Sequence, residues 1–506
     1  MSGSNPEKTS PSSKISSLSG ALINGAGWTI AIRWAAKFLG IISLAICARI
    51  LFPEDYGLVN MAMVVVGFSQ VLVEFGLDAS LIRNQDATKE HYDTAWSLRI
   101  LQSAAIALIV IVSAPLAAYL FKDERVTPIM IAVGIAGFIG GFQNIYVVNF
   151  RKNLDFRLDF LFSFLPRLTS FLVTVASVLL LKSYWGLVFG ICAGEVARMV
   201  ASYCLIRERA SWSLVRWREL TGFSLWYFLD GFAQFCSFHL DRFFIGVLGG
   251  ASQVGLYGVG REVAALPSTE LVLPIGRALI PVLSKLNAEP QRQAAAIKKA
   301  LAGVMLLAVP IAVGFVLVAR EVVLLLFGEK WIETVPLVAI LSFAAMTSGF
   351  RSTAQNVLLV VGKIRVNAFF SWVYAAVVLG LLYPAYLWKG TEGVAWLYSS
   401  TGFVAMLAYG SYLHSLKLIS GGSLWIDISR SFLGAAAMYA VVTHAAPWLP
   451  EVLPLALFTK IALGACVYCL VVLTLWVGMG RPDSSERVIL SLLGGKIRSL
   501  TKRLPM

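Results

Sequence analysis

An all-α, polytopic membrane fold is what this sequence predicts, and three observations predict it. Mean hydropathy is +0.77 and only 14% of the 506 residues are charged, where soluble chains carry about 25%. Apolar stretches of about 20 residues, long enough to cross a bilayer, recur about fourteen times. Lysine and arginine crowd into alternate connections, the bias that sets orientation in multi-pass proteins.

The elements follow in order. Residues 1–20, MSGSNPEKTSPSSKISSLSG, lack an apolar core followed by a small-residue cleavage site, so they read as a disordered tail and not a signal peptide. Spans at 21–50, 56–78, 95–121, 126–150, 158–181 and 184–206 form an N-terminal six-helix bundle, 21–206. Arg83, Lys89, Arg151, Lys152 and Arg157 lie on one side of it, and only Lys122, Arg125 and Lys182 on the other. A basic linker, 207–219, leads to spans at 220–248, 254–283, 300–327, 331–361, 367–388 and 392–416, a second six-helix bundle over 220–418. Its connections repeat the bias, with Lys285, Arg292, Lys298, Lys299, Lys363 and Arg365 opposed by Lys330 and Lys389. Transmembrane helices 13 and 14, at 430–447 and 452–478, are an addition over 419–480. Residues 481–506 form a basic amphipathic tail suited to an anionic leaflet.

With the first tail in the cytoplasm, about 25 lysines and arginines fall inside against five outside, and both termini are cytoplasmic. The net charge of +14 follows from this topology and does not imply nucleic-acid binding. Cys47, Cys192, Cys204, Cys236, Cys466 and Cys469 all fall in predicted spans, and the Cys466-x-x-Cys469 pair, without nearby His or acidic partners, reads as packing. Gly137-x-x-x-Gly141 and Gly246-x-x-x-Gly250 fit close helix packing.

Landmarks recur about 200 residues apart. Leu51-Phe-Pro-Glu-Asp-Tyr-Gly57-Leu58 resembles Leu248-Gly-Gly-Ala-Ser-Gln-Val-Gly255-Leu256, Leu120-Phe121 before a charged turn resembles Leu326-Phe327-Gly-Glu-Lys-Trp331, and Lys182-x-x-x-Gly186 matches Lys389-x-x-x-Gly393. They join equivalent spans, so the two six-helix halves are parallel repeats, whose expected motion is rocking about a midplane substrate site.

Charges inside apolar stretches are costly and usually mark the path of what is moved. Here they are Arg33, Lys37, Asp241, Arg242, Arg261, Glu262, Glu270, Arg277 and Arg351. The surplus is positive, which suits an anionic cargo. Arg33 and Lys37 share a helix face, and Glu74 with Asp78, also four apart, is a candidate acidic face to meet them. Pro267, Pro274 and Pro281 predict kinks in the eighth span, making it a cavity wall or moving element. Asp241, Glu262 and Glu270 are the titratable groups that either couple transport to an ion or form structural pairs. Trp28, Trp34, Tyr227 and Tyr257 are candidates for sugar stacking or interfacial placement. No Walker A motif, filter-like loop or large outer loop with paired acids is present in the sequence. No catalytic residue, metal or cofactor is therefore assigned.

The string Ala48-Arg49-Ile-Leu-Phe-Pro53-Glu54-Asp55-Tyr56-Gly57-Leu58, then Glu74-Phe-Gly76-Leu-Asp78-Ala-Ser-Leu-Ile82-Arg83, resembles the N-terminal signature of Wzx-like polysaccharide flippases, a branch of the multidrug/oligosaccharidyl-lipid/polysaccharide exporter superfamily. Leu240-Asp241-Arg242-Phe-Phe-Ile245-Gly246, Gly255-Leu-Tyr257 and Leu326-Phe-Gly328-Glu-Lys330-Trp331 are similar to its later signatures. The likeness runs from about residue 20 to 420 and is greatest to exporters of exopolysaccharides such as succinoglycan or colanic acid. It implies two six-helix bundles in a V around a central cavity, plus two C-terminal helices. It also implies a flippase that carries an undecaprenyl-pyrophosphate-linked oligosaccharide to the outer leaflet of a bacterial inner membrane. The partners implied are that lipid, the bilayer, a coupling proton or sodium, and a polymerase with its export complex. On this chain the cationic positions are Arg33, Lys37, Arg242, Arg261, Arg277 and Arg351. A peptidoglycan-precursor flippase, a drug or cation antiporter, and a membrane glycan polymerase or scaffold are the alternatives.

Overall fold

The computed structural model describes residues 34–35, 37–73, 76–153, 155–221, 224–269, 283, 286, 289–419 and 421–487. Arg33, Glu74, Glu270, Arg277, Trp28, Pro274, Pro281, the first tail and the amphipathic tail beyond Arg487 lie outside them. Helix is the only regular structure among the described residues. By length and composition, nine helices among the described residues are apolar enough to cross a membrane, or ten if one bent pair forms a single span. Two compact units divide the chain, Met1–Phe235 and Cys236–Met506.

In the first unit, α1 (34–50) is followed by α2 (Pro53–Val73). The Phe-Pro-Glu-Asp string is a helix start. Pro53 needs no amide partner in the first turn, Glu54 and Asp55 face the positive end of the helix dipole, and the Phe52 amide donates to Asp55 Oδ2 at 2.9 Å. Gly76, at φ 64°, stands before the short α3 (Leu77–Arg83). Asp78 lies in α3, and Glu74, the other member of the candidate acidic face, lies outside the described residues. α4 (Lys89–Phe121) is followed by α5 (Val126–Gly141), and Arg125 in the turn between them pairs with Asp123 at 2.7 Å and with Glu54. The Arg125 guanidinium holds the Asp123 carboxyl below its usual range.

The fourth predicted span, 126–150, is bent: α5 and the helical stretch Ile145–Lys152, which contains α6 (Val148–Lys152), meet at 74°. Asn144 stabilises the bend, its side chain accepting from the Tyr146 amide at 3.1 Å and donating to Glu208 O at 2.7 Å.

α7 (Phe156–Leu181) and α8 (Trp185–Leu205) make a tight hairpin whose turn residue Lys182 is left-handed at φ 48°. Gly186, Gly190 and Gly194 sit four residues apart against Val178, Thr174 and Ser170. This small-residue seam lets two helix backbones approach closely. The two spacings singled out from the sequence behave differently. Gly141 does pack on Ser103, but a side chain at Gly137 or Gly250 would meet nothing within 4 Å, and Gly250 has φ +78°. Gly250 is a turn residue, not a packing one.

The helical stretch Ser224–Pro267, which begins in the first unit and continues into the second from Cys236, breaks at Gly250 (φ 78°, ψ −176°) into α9 (224–249) and α10 (251–267). A π turn at 268–269 follows Pro267. α11 (Pro290–Leu326) and α12 (Thr334–Val360) come next. The stretch Ile364–Ser415 breaks at Lys389–Gly390 into α13 (364–388) and α14 (391–415). α15 (Gly421–Ala445) and α16 (Leu453–Gly478) close the fold. This last pair is built into the unit: Tyr468 Oη donates to Leu306 O at 2.7 Å, Lys460 pairs with Glu321 at 2.6 Å, and buried Arg430 joins Asp427 (2.7 Å) to Glu486 (2.9 Å).

The internal repeat is visible as shared local geometry. Phe121 and Phe327 are both buried ahead of a positive-φ residue, Lys122 and Gly328. Gly186 and Gly393 each press on backbone eight residues earlier, at Val178 and Ala385. Gly186→Ala would place a methyl 2.7 Å from the Val178 backbone nitrogen, an overpacking that costs about 1–3 kcal/mol. We expect a lowered unfolding temperature in detergent for Gly186→Ala and none for Gly137→Ala, as read by a thermal melt.

Candidate functional site

The second unit holds a cluster of ionised and phenolic groups deep within its helices, and Gly250 creates it. Asp241 and Tyr257 are 16 residues apart, about 24 Å along a straight helix. Yet Tyr257 Oη donates to Asp241 Oδ2 at 2.9 Å, and Arg261 donates to the same oxygen. Only a reversal at Gly250, with no connecting loop, brings α9 and α10 side by side in this register. Asp241 stands nine residues before the turn and Arg261 eleven after it, about 13 and 16 Å by helical rise. These distances are about half of a hydrocarbon core about 30 Å thick.

Asp241 is fully buried and Tyr257 with it. Besides Tyr257 and Arg261, Asp241 accepts the Arg242 amide on Oδ1 at 2.8 Å. A carboxylate in hydrocarbon needs this saturation, because an unpartnered buried charge is far more costly than a paired one. Arg261 lies over the ring of buried Tyr398 from α14, 5.1 Å to the centroid. Tyr374 on α13 is within electrostatic range of both Arg261 and Tyr398, and Arg351 on α12 lies over the Tyr374 ring at 4.1 Å. Five helices therefore contribute: α9, α10, α12, α13 and α14.

The charges do not cancel. Asp241 neutralises Arg261, but Arg351 rests on an aromatic face with no carboxylate in ion-pair distance among the described residues. Half-buried Arg242 has its Nε buried without a hydrogen-bond partner. The arrangement offers one closed ion pair beside two cations available to an anion.

The other predicted residues are distributed elsewhere. Glu262 is exposed, turned away from the Asp241 pair. Lys37 is half-buried on α1. Asp78 pairs with Arg99 of α4, a partner not named from the sequence. Trp34 is exposed, and Tyr257 is committed to Asp241 instead of lying open to a sugar. Tyr374 and Tyr398 escaped the sequence reading because tyrosines in apolar helices look like packing. A signal existed for Tyr257, four residues before Arg261 and so on its face.

An all-helical fold with apolar spans and a buried ion pair is that of a multi-pass membrane protein, and the family and the transport proteins it resembles make it a transporter. Residues 46–336, more than half of the chain, match the family described as polysaccharide biosynthesis protein. The chain belongs to that family. It is 25% identical over 88% of its length to the succinoglycan biosynthesis transport protein ExoT of Rhizobium meliloti (strain 1021), covering 92% of that protein. It is 21% identical over 71% of its length to the lipopolysaccharide biosynthesis protein WzxC of Escherichia coli (strain K12), covering 75%. Its fold is similar to that of the lipid II flippase MurJ in an inward closed conformation, with a TM-score of 0.75, 13% identity and coverage of 90% of this chain and 99% of that one.

Removing one partner of the Asp241–Arg261 pair strands the other, a loss of about 3–5 kcal/mol for a buried pair. Asp241→Leu alone is expected to lower the unfolding temperature sharply, and Asp241→Leu with Arg261→Met to recover most of it. A thermal melt of the purified variants reads both.

Proposed function

We propose that this protein is a flippase for undecaprenyl-pyrophosphate-linked oligosaccharide repeat units, carrying them from the cytoplasmic to the periplasmic leaflet of a bacterial inner membrane. The observation that carries the reading is the uncompensated cationic charge of the cluster, Arg242 and Arg351 beside the closed Asp241–Arg261 pair. A pyrophosphate is compact and doubly ionic, and guanidinium groups contact its oxygens through paired, charge-assisted hydrogen bonds. Family membership and the named relatives in polysaccharide export support the sugar part of the cargo. Arg33, Lys37 and Arg277 extend the same cationic set by sequence.

We assign transport by alternating access, with both termini in the cytoplasm as the distribution of lysine and arginine requires. Coupling to a proton or sodium falls to Asp241: exchange of Arg261 for the ion at that carboxylate frees the arginine for the cargo. Delivered repeat units then pass to a polymerase and its export complex. The cationic surplus disfavours a drug or cation antiporter, which needs an acid-dominated cavity. A peptidoglycan-precursor cargo shares the pyrophosphate lipid, and likeness of fold to MurJ does not separate the two.

A hydrogen bond to a charged group contributes about 1.5–3 kcal/mol, so loss of either unpaired arginine should weaken cargo binding about tenfold or more. In cells making the polymer, loss of the protein should leave complete repeat units facing the cytoplasm. Arg242→Ala with Arg351→Ala should behave like that loss while remaining inserted. Repeat units that reach the outer face unpolymerised would shift the role to a polymerase or scaffold. Accumulation of the peptidoglycan precursor instead would assign the other cargo.

A further inference from the structure

The segment joining α8 to the next helices is not a slack tether. Residues 206–216 run without helix, and their backbone amides are taken by side chains of α4: Ser211 N–H donates to Asp93 Oδ1 (2.8 Å), Ser213 N–H to Ser97 Oγ (2.9 Å) and Arg216 N–H to Thr94 Oγ1 (3.3 Å). The far end is fastened as well. His91 Nε2 meets Glu219 at 3.0 Å while His91 Nδ1 accepts from the Thr88 amide at 3.1 Å, and Leu220 is buried beneath. The segment is a strap with one face fixed against α4.

Because the backbone is held inward, the large side chains are held outward. Trp212 is 57% exposed, Leu214 40%, Val215 73% and Trp217 48%. Arg207 and Arg218 are exposed among them, Arg218 over the Trp217 ring and neither facing a carboxylate in ion-pair distance among the described residues.

Where such a strap can sit is limited from two sides. An extended backbone with arginines and glutamates cannot enter hydrocarbon. Two tryptophans, a leucine and a valine on one face are poorly placed in bulk water. The remaining level is the membrane interface, where tryptophan is enriched and basic residues meet anionic headgroups. α4 sets that level: its 33 residues span about 50 Å against a core of about 30 Å, so its first turns, which carry Asp93, Thr94 and Ser97, stand outside the hydrocarbon.

We propose that residues 210–218 are an interfacial anchor, with Trp212, Leu214, Val215 and Trp217 seated in the leaflet surface and Arg207 and Arg218 on anionic lipid headgroups. The strap thereby fixes the end of the first unit to the membrane independently of what the protein transports.

The test compares tryptophan emission of the wild type with Trp212→Phe/Trp217→Phe in vesicles containing phosphatidylglycerol. The expected difference spectrum is blue-shifted, quenched by lipids brominated near the headgroup and shielded from acrylamide. A red-shifted difference quenched by acrylamide overturns the proposal and leaves the face to a soluble partner. Val215→Cys carrying a polarity-sensitive dye asks the same question without touching either indole. Acrylamide protection should weaken when phosphatidylcholine replaces phosphatidylglycerol; equal protection in both overturns the role given to the arginines.

Discussion

A carboxylate inside a bilayer cannot remain ionised without partners, and the centre of the second unit is arranged around that constraint. Asp241 is saturated by a guanidinium, a phenol and an adjacent amide. Two of these come from α10, and they reach Asp241 only because the chain reverses at Gly250 without an intervening loop. A single left-handed glycine thus sets the register of a hairpin, the register places the arginine, and the arginine makes the buried acid tolerable. The aromatic groups follow from the same placement. Once Arg261 is committed to Asp241, its outer face is covered by Tyr398 instead of a second acid.

The two halves meet the same local problems with the same devices. A Leu-Phe pair ends a long helix with the ring buried and the next residue at positive φ, exposed Lys122 in the αL region and Gly328 at φ 86°, ψ −178°. A glycine eight residues beyond a backbone contact closes each Lys-x-x-x-Gly hairpin. Glycine stands where a Cβ would strike backbone and, at 328, where the dihedral angles suit glycine alone, whereas the αL turn position admits lysine.

Helix and its periodic interruption were legible because hydropathy and the basic bias are written in dozens of residues at once. Helix is present in the described part of each predicted stretch, the eighth being described continuously as far as Thr269. Features resting on one or two residues were not legible. Gly76 opens α3 at φ 64°, and Asn144 supports a 74° bend that an apolar run does not announce. The pairs Glu321–Lys460 and Lys298–Asp427, which tie the last two helices to α11, involve charges far apart in sequence. Within the candidate site, the ionised members were found because charge is conspicuous in a membrane segment; Tyr374 and Tyr398 were missed because a tyrosine is not, and Tyr257 was named for a different role. The Phe-Pro-Glu-Asp string carried the strongest resemblance and turns out to be helix-starting chemistry, far from the charged cluster in sequence and belonging to the other unit.

What distinguishes the arginines is how each is held. An arginine paired to a buried carboxylate forms a neutral group, and an anion approaching it must compete with a partner already in place. An arginine held on an aromatic face is different. The ring quadrupole stabilises the cation by about 0.5–2 kcal/mol without supplying a negative charge, so the guanidinium keeps its net charge and its hydrogen-bond donors. Arg351 on Tyr374 is of this kind, and Arg242 retains a buried, unpartnered Nε. Among the described residues, Arg261, Arg430 and Lys460 are each met by an acid, whereas Arg242 and Arg351 are not; under the proposed function, an anionic cargo supplies the missing negative charge.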